Sequence, residues 1–214
     1  SAAALAAVWA QESTRASLYD AMRRRETYAT SGPRITVRFF GGWNYAPDLV
    51  EQAEWIDTAQ RGGVPMGGDL PTPQGAAPSF AVWAIRDPES GNLDRIQMIK
   101  GWVDTTGKSR EKVFDIAWSN ERAIDAGTGK LPPVGNTVDA AKANYSNSIG
   151  AAQLATVWTD PEFDPEQEAF YYARVLEIPT PRWTTYDALK LGMKPPQPTS
   201  LQERAVTSAI WYQP

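Results

Sequence analysis

The side chains of this chain best suited to chemistry crowd into one stretch, RRRETYATSGPRITVRFFGGW, from Arg23 to Trp43. A guanidinium offers a planar fork of donors that grips two oxygens of a phosphate or carboxylate at once. Arg25, aided by Thr30, Ser31 and the backbone N–H groups of the turn that follows, is the candidate substrate-binding contact for such an anion. The same residues also read as a plain corner, in which a basic last helical turn is followed by a Gly32-Pro33 turn into a strand. Both readings stand on the residues alone.

The composition narrows what chemistry could accompany that corner. The 214 residues contain no histidine and no cysteine, which excludes Ser-His-Asp triads, Cys-His pairs and the usual zinc sites. Oxygen-ligand sites for calcium or magnesium stay open. DPEFDPEQE gathers Asp160, Glu162, Asp164, Glu166 and Glu168, yet lacks the central glycine of a calcium-binding EF-hand loop, and a solvated acidic loop is expected. GGVPMGGDL lacks the spacing of a P-loop and reads as a tight loop that approaches another backbone. A net charge of -4 and a pI near 5.0 argue against nucleic acid or an anionic membrane as the partner. The longest apolar run, Ala2 to Ala10, is far shorter than the ~20 residues that span a bilayer.

Several elements must hold these residues in place. Ser13 to Glu26 has helical spacing, with Ser13 as cap, Leu18, Ala21, Met22 and Arg25 on one face, and Arg23 to Arg25 in the last turn. Ile35, Val37 and Phe39 alternate with Arg34, Thr36 and Arg38 as a half-buried strand, and Asp48 to Arg61 reads as a second helix. Strands are expected at Phe80 to Arg86, Arg95 to Val103, Lys112 to Trp118, Gln153 to Trp158, Phe170 to Ile178 and Ala205 to Tyr212, with a long loop from Ser119 to Gly150. Pro179 and Pro181 disfavour a central strand beyond Ile178. With 42% hydrophobic residues the chain can fill a core, and the fold class is α+β, mostly an antiparallel β-sandwich. The Gly-Pro-rich stretch around residues 62–78 divides it into residues 1–62 and residues 63–214. Most of the nine tryptophans fall in strands and belong to the core, while Trp43, Trp55 and Trp183 flank loops or helices and suit an inter-domain surface. A carbohydrate-binding or adhesive sandwich is the alternative function.

Four segments, VWAQESTRASLYDAMRRRETYATSGPRITVRFFGGW, GGVPMGGDLP, FYYARVLEIPTPRWTTYDALKLG and QERAVTSAIWY, together resemble the C-terminal part of the bacterial family called domain of unknown function 3604. Val206 and Ala209 depart from it, standing where a bulkier aromatic and a proline are expected. Members resemble, in their N-terminal part, metallohydrolases of the polymerase-and-histidinol-phosphatase (PHP) type. The resemblance implies that residues 1–62 are the end of a PHP-like region and its junction, with a sandwich after them. It implies a parent that is a metal-dependent, phosphoesterase-like hydrolase in the periplasm or secreted, whose divalent metal is bound upstream. This chain would serve as scaffold or pocket rim, without catalytic residues, metal ligands or a cofactor of its own. Its partners would be the missing N-terminal catalytic region and, through apolar Leu5, Val8, Trp9, Leu18 and Met22, a second copy; neither nucleic acid nor membrane is expected.

Without imidazole or thiolate, carboxylates alone hold zinc poorly against a chelator. Elemental analysis of the 214-residue chain after dialysis should therefore find no stoichiometric zinc or iron. One tightly held equivalent would overturn that expectation.

Overall fold

The computed structural model describes residues 4–72 and 76–214. Two antiparallel sheets pack face to face. The larger contains β1 (Leu5–Val8), β2 (Thr27–Thr30), β6 (Leu93–Val103), β7 (Ser109–Trp118), β9 (Ala169–Pro181), β10 (Ser200–Thr207) and β11 (Ile210–Tyr212). Its order is β1-β2-β10-β9-β6-β7, with β11 on the stretch of β9 that β10 leaves free. The smaller, ordered β4-β3-β5-β8, contains β3 (Thr36–Gly42), β4 (Gly63–Pro65), β5 (Ser79–Ile85) and β8 (Gln153–Thr159).

Alternation along the strands decides what lies between the sheets. Val37 and Phe39 of β3 and Phe80, Val82 and Ala84 of β5 meet Ile96 and Met98 of β6 and Tyr171, Ala173 and Val175 of β9 in one core. The opposite face of the smaller sheet, at Phe40 and Ala81, is covered by Leu49, Trp55 and Ala59. Those three come from a 3₁₀ turn, Leu49–Glu51, and from helix α2 (Trp55–Gly62). The larger sheet takes β1 and β2 from residues 1–62 and its other strands from beyond residue 63, and β3 pairs with β5 in the smaller one.

The antiparallel sandwich with a helical minority agrees with the fold class read from the sequence. Local differences have local causes. The first helix, α1, runs Arg15–Arg23, and its cap is Thr14, whose hydroxyl accepts from Ser17 N, instead of Ser13. Of the expected apolar row only Ala21 is buried; Leu18 and Met22 lie open. The second expected helix breaks into the 3₁₀ turn and α2 at Gln52, whose backbone is extended, with ψ 144°. The last expected strand breaks between β10 and β11 at Ser208-Ala209. Pro179 and Pro181 do lie in β9, where β6 has already ended its pairing at Glu177 and β10 alone remains as neighbour. A residue with no N–H to give is tolerated on such a one-sided stretch. Trp43 and Trp55 are buried, while Trp183, at the start of helix α3 (Trp183–Lys190), is exposed. Asp160 departs from a solvated acidic loop, since it is buried against Lys100.

Glu177 on β9 is fully buried, with one carboxylate oxygen accepting from Ser90 Oγ at 2.7 Å and the other without a partner among the described residues. Burial, reinforced by the charges of Glu203 and Asp87, pushes its pKa up to about 7. The folded state thus favours the neutral acid, and the unfolded chain ionises first as pH rises. The contribution of Glu177 is complete below about pH 4.5 and is lost as pH climbs through about 7. Glu177→Gln, which keeps the neutral shape, should match the wild type in urea unfolding at pH 5 and exceed it at pH 8. Equal stability of the two proteins at pH 8 would contradict this.

Candidate functional site

Between the N-terminal edge of the larger sheet and the α2 side of the smaller one lies an open cavity of about 470 Å³, lined by Trp9, Arg24, Glu26, Arg38, Gln60 and Met66 among others. Arg24, Glu26 and Arg38 come from the same arginine-rich stretch that stands out in the sequence. Strand alternation puts Arg38 there: Val37 and Phe39 turn to the core, so Arg38 between them turns away.

Trp9 fixes the geometry. Its backbone N–H donates to Glu26 O at 2.9 Å, and its indole Nε1 donates to Val37 O at 2.9 Å. The ring is thereby clamped between β2 and β3, and the Arg38 guanidinium lies flat on it, with Cζ 3.2 Å from the ring centroid. Stacking uses the face of the guanidinium and leaves its N–H edge free. That edge makes no hydrogen bond and no ion pair among the described residues. Burial lowers the Arg38 pKa, against the pull of Glu26 and Tyr28, and an arginine remains cationic under such a shift. Arg24, by contrast, is engaged: its Nε and Nη2 donate to Glu26 Oε2 at 3.3 and 2.8 Å. Two guanidinium groups and one carboxylate leave a single positive charge in the cavity. Such a site can bind and orient an oxyanion. The cavity offers no free general base and no nucleophile placed beside one.

The residues singled out in the sequence are distributed differently. Arg25 lies past the end of α1 in a left-handed conformation, φ 62°. It donates to Asp69 Oδ2 at 3.1 Å from a half-exposed position. Thr30 is buried and accepts from Gly32 N at 3.3 Å. The Ser31 hydroxyl donates to the Glu203 carboxylate and accepts from Arg204 N at 2.8 Å. Arg25 stands at one end of β2 and Thr30 and Ser31 at the other, so the structure does not bring them together. The expected approach of GGVPMGGDL to another backbone is present. Gly67 has φ +85°, and a Cβ on it would meet Arg25 O at 2.3 Å.

Arg38 had a sequence signal in the alternation of its strand, whereas nothing local marked Trp9 as its platform. A second arginine group, around Asp94, is saturated. Asp94 accepts from Arg122 at 2.7 Å, Arg95 at 3.1 Å and Gln202 at 2.8 Å, which clamps the long segment after β7 to the sheet. Among the described residues no three His, Cys, Asp or Glu converge on a position for a metal ion. Among them also no helix is long and apolar enough to cross a membrane.

Comparison with known proteins supplies one finding. No curated protein and no solved structure matches the chain. The family model described as "Protein of unknown function (DUF3604)" matches residues 1–214. The chain belongs to the DUF3604 family of proteins of unknown function.

Proposed function

We propose that this chain is the C-terminal, non-catalytic portion of a metal-dependent hydrolase of the phosphoester type, in the periplasm or outside the cell. In this reading its cavity forms part of the rim that holds the substrate's anionic group. The observation that carries the reading is Arg38: a guanidinium held flat on Trp9, its donor edge unspent, in a cavity with Arg24. A donor fixed in place before the anion arrives stabilises developing charge at little reorganisation cost. Metal chemistry would come from residues upstream, and none of the described residues is assigned a metal role. The exposed apolar side chains of α1, Leu18, Tyr19 and Met22, support a packing face for that catalytic portion. Of the two tryptophans a carbohydrate module would use, Trp43 and Trp183, only Trp183 lies at the surface.

Two measurements test the reading. Tryptophan fluorescence of the 214-residue chain, titrated with inorganic phosphate, should saturate in the wild type and in Arg25→Ala, and should lose saturation in Arg38→Ala. In a longer polypeptide that includes the catalytic region, Arg38→Ala should lower the turnover of bis(p-nitrophenyl) phosphate by about 100-fold, the scale of one lost electrostatic donor. Unchanged phosphate binding by Arg38→Ala overturns the anion site. Absence of phosphoesterase activity in the longer polypeptide overturns the hydrolase.

A further inference from the structure

The outer face of the larger sheet carries a second built hollow, unrelated to the anion cavity. It is an open groove of about 460 Å³ whose lining includes the rings of Phe170 and Trp211. The strand register creates it. Trp211 of β11 pairs with Phe170 of β9, Phe170 with Gly101 of β6, and Gly101 with Glu111 of β7, so the four residues form one row across the sheet. Gly101 is the indispensable gap in that row. A Cβ there would come within 2.2 Å of Phe170 Cζ, so only glycine lets the Phe170 ring lie across β6. Tyr172 stacks behind Phe170 at 6.4 Å and 12°, while Trp211 meets it at 5.2 Å and 46°. The two rings therefore form an angled cradle, and Trp211 is 41% exposed.

We infer that this groove binds a methylated ammonium cation, such as a trimethylammonium head group on a longer carrier. The charge around the rings selects it. Glu111 and Glu168 line the groove, and neither has an ion-pair partner among the described residues. Arg110 also lines it, but its Nε is held by Asp104 Oδ2 at 2.7 Å, which neutralises it. Electron-rich ring faces and two unspent carboxylates make the groove attractive to positive charge and hostile to anions. A metal ion or a bare ammonium holds its water too strongly for an aromatic floor. A methylated ammonium spreads its charge over C–H groups, sheds water readily and packs on ring faces. An uncharged apolar ligand would gain nothing from the carboxylates.

The test compares choline with 3,3-dimethylbutan-1-ol, which has the same shape without the charge. Binding of each to the 214-residue chain is followed by saturation-transfer NMR of the ligand methyl groups. Choline should bind saturably, with the neutral alcohol weaker by about fivefold or more. Trp211→Ala should weaken choline by about tenfold. The exposed double variant Glu111→Gln, Glu168→Gln, which leaves the rings intact, should bring choline down to the level of the alcohol. Equal binding of choline and the alcohol by the wild type would make this a merely apolar groove and overturn the inference. So would saturable binding of cellohexaose with none of choline, which would make it a sugar platform, or the absence of saturation with choline.

Discussion

Lys100 extends from β6 into the space between the sheets and donates to Asp160 Oδ2 at 2.6 Å and to Glu162 O at 2.6 Å. Tyr171 of β9 donates to the same carboxylate oxygen at 2.7 Å, and Glu162 N donates to the other at 2.9 Å. Asp160 directly follows β8, and its own N–H donates to Pro78 O just before β5. The pair thus ties the centre of the larger sheet to two strands of the smaller one. Taking two charges out of water costs several kcal/mol per ion, and removing one partner of such a pair typically costs about 3–5 kcal/mol. Its main product is register. A one-residue slip of β6 would send Lys100 to the outer face and strand Asp160 inside. Burial, together with the Asp160 charge, drives the Tyr171 pKa far above its usual value, so its hydroxyl stays a donor at any ordinary pH.

With that register set, both hollows follow from alternation. Because Met98 and Lys100 face inward, Gly101 faces out and leaves the gap that Phe170 fills. On the smaller sheet, the inward Val37 and Phe39 turn Arg38 outward. Trp9 receives it only because β1 and β2 have come to lie beside β10, which brings Ser31 against Glu203 across 172 positions of sequence.

That long-range pairing explains what was legible in the sequence. β5, β6, β7, β8 and β9 are long enough, and rich enough in β-branched and aromatic residues, to announce themselves. β1, β2 and β4 are three or four residues each, LAAV, TYAT and GVP, with no clear period; only their distant partners make them strands. The site was half legible for the same reason. Three consecutive arginines look equivalent in sequence, yet the helix end sorts them. Arg23 stays in the last turn, Arg24 reaches Glu26 beside the cavity, and Arg25 swings into the left-handed region toward Asp69. Just past the end of α1, Arg25 lies in tight approach to Gly67, a contact between residues far apart in sequence.

The segment from Pro65 to Leu70 carries one more consequence. Met66 N donates to Phe39 O at 2.9 Å, Gly67 N to Ala209 O at 3.1 Å and Leu70 N to Trp211 O at 2.7 Å, while Trp211 N donates to Gly68 O at 3.0 Å. Nearly every step of this short run is pinned to β3 at one end and to the Trp211 strand at the other. Its length is consequently a fixed measure: one residue more or fewer would break the spacing between the arginine cavity and the aromatic groove. A relative that keeps both hollows would have to place its insertions and deletions in other connections, leaving this run to change by substitution alone.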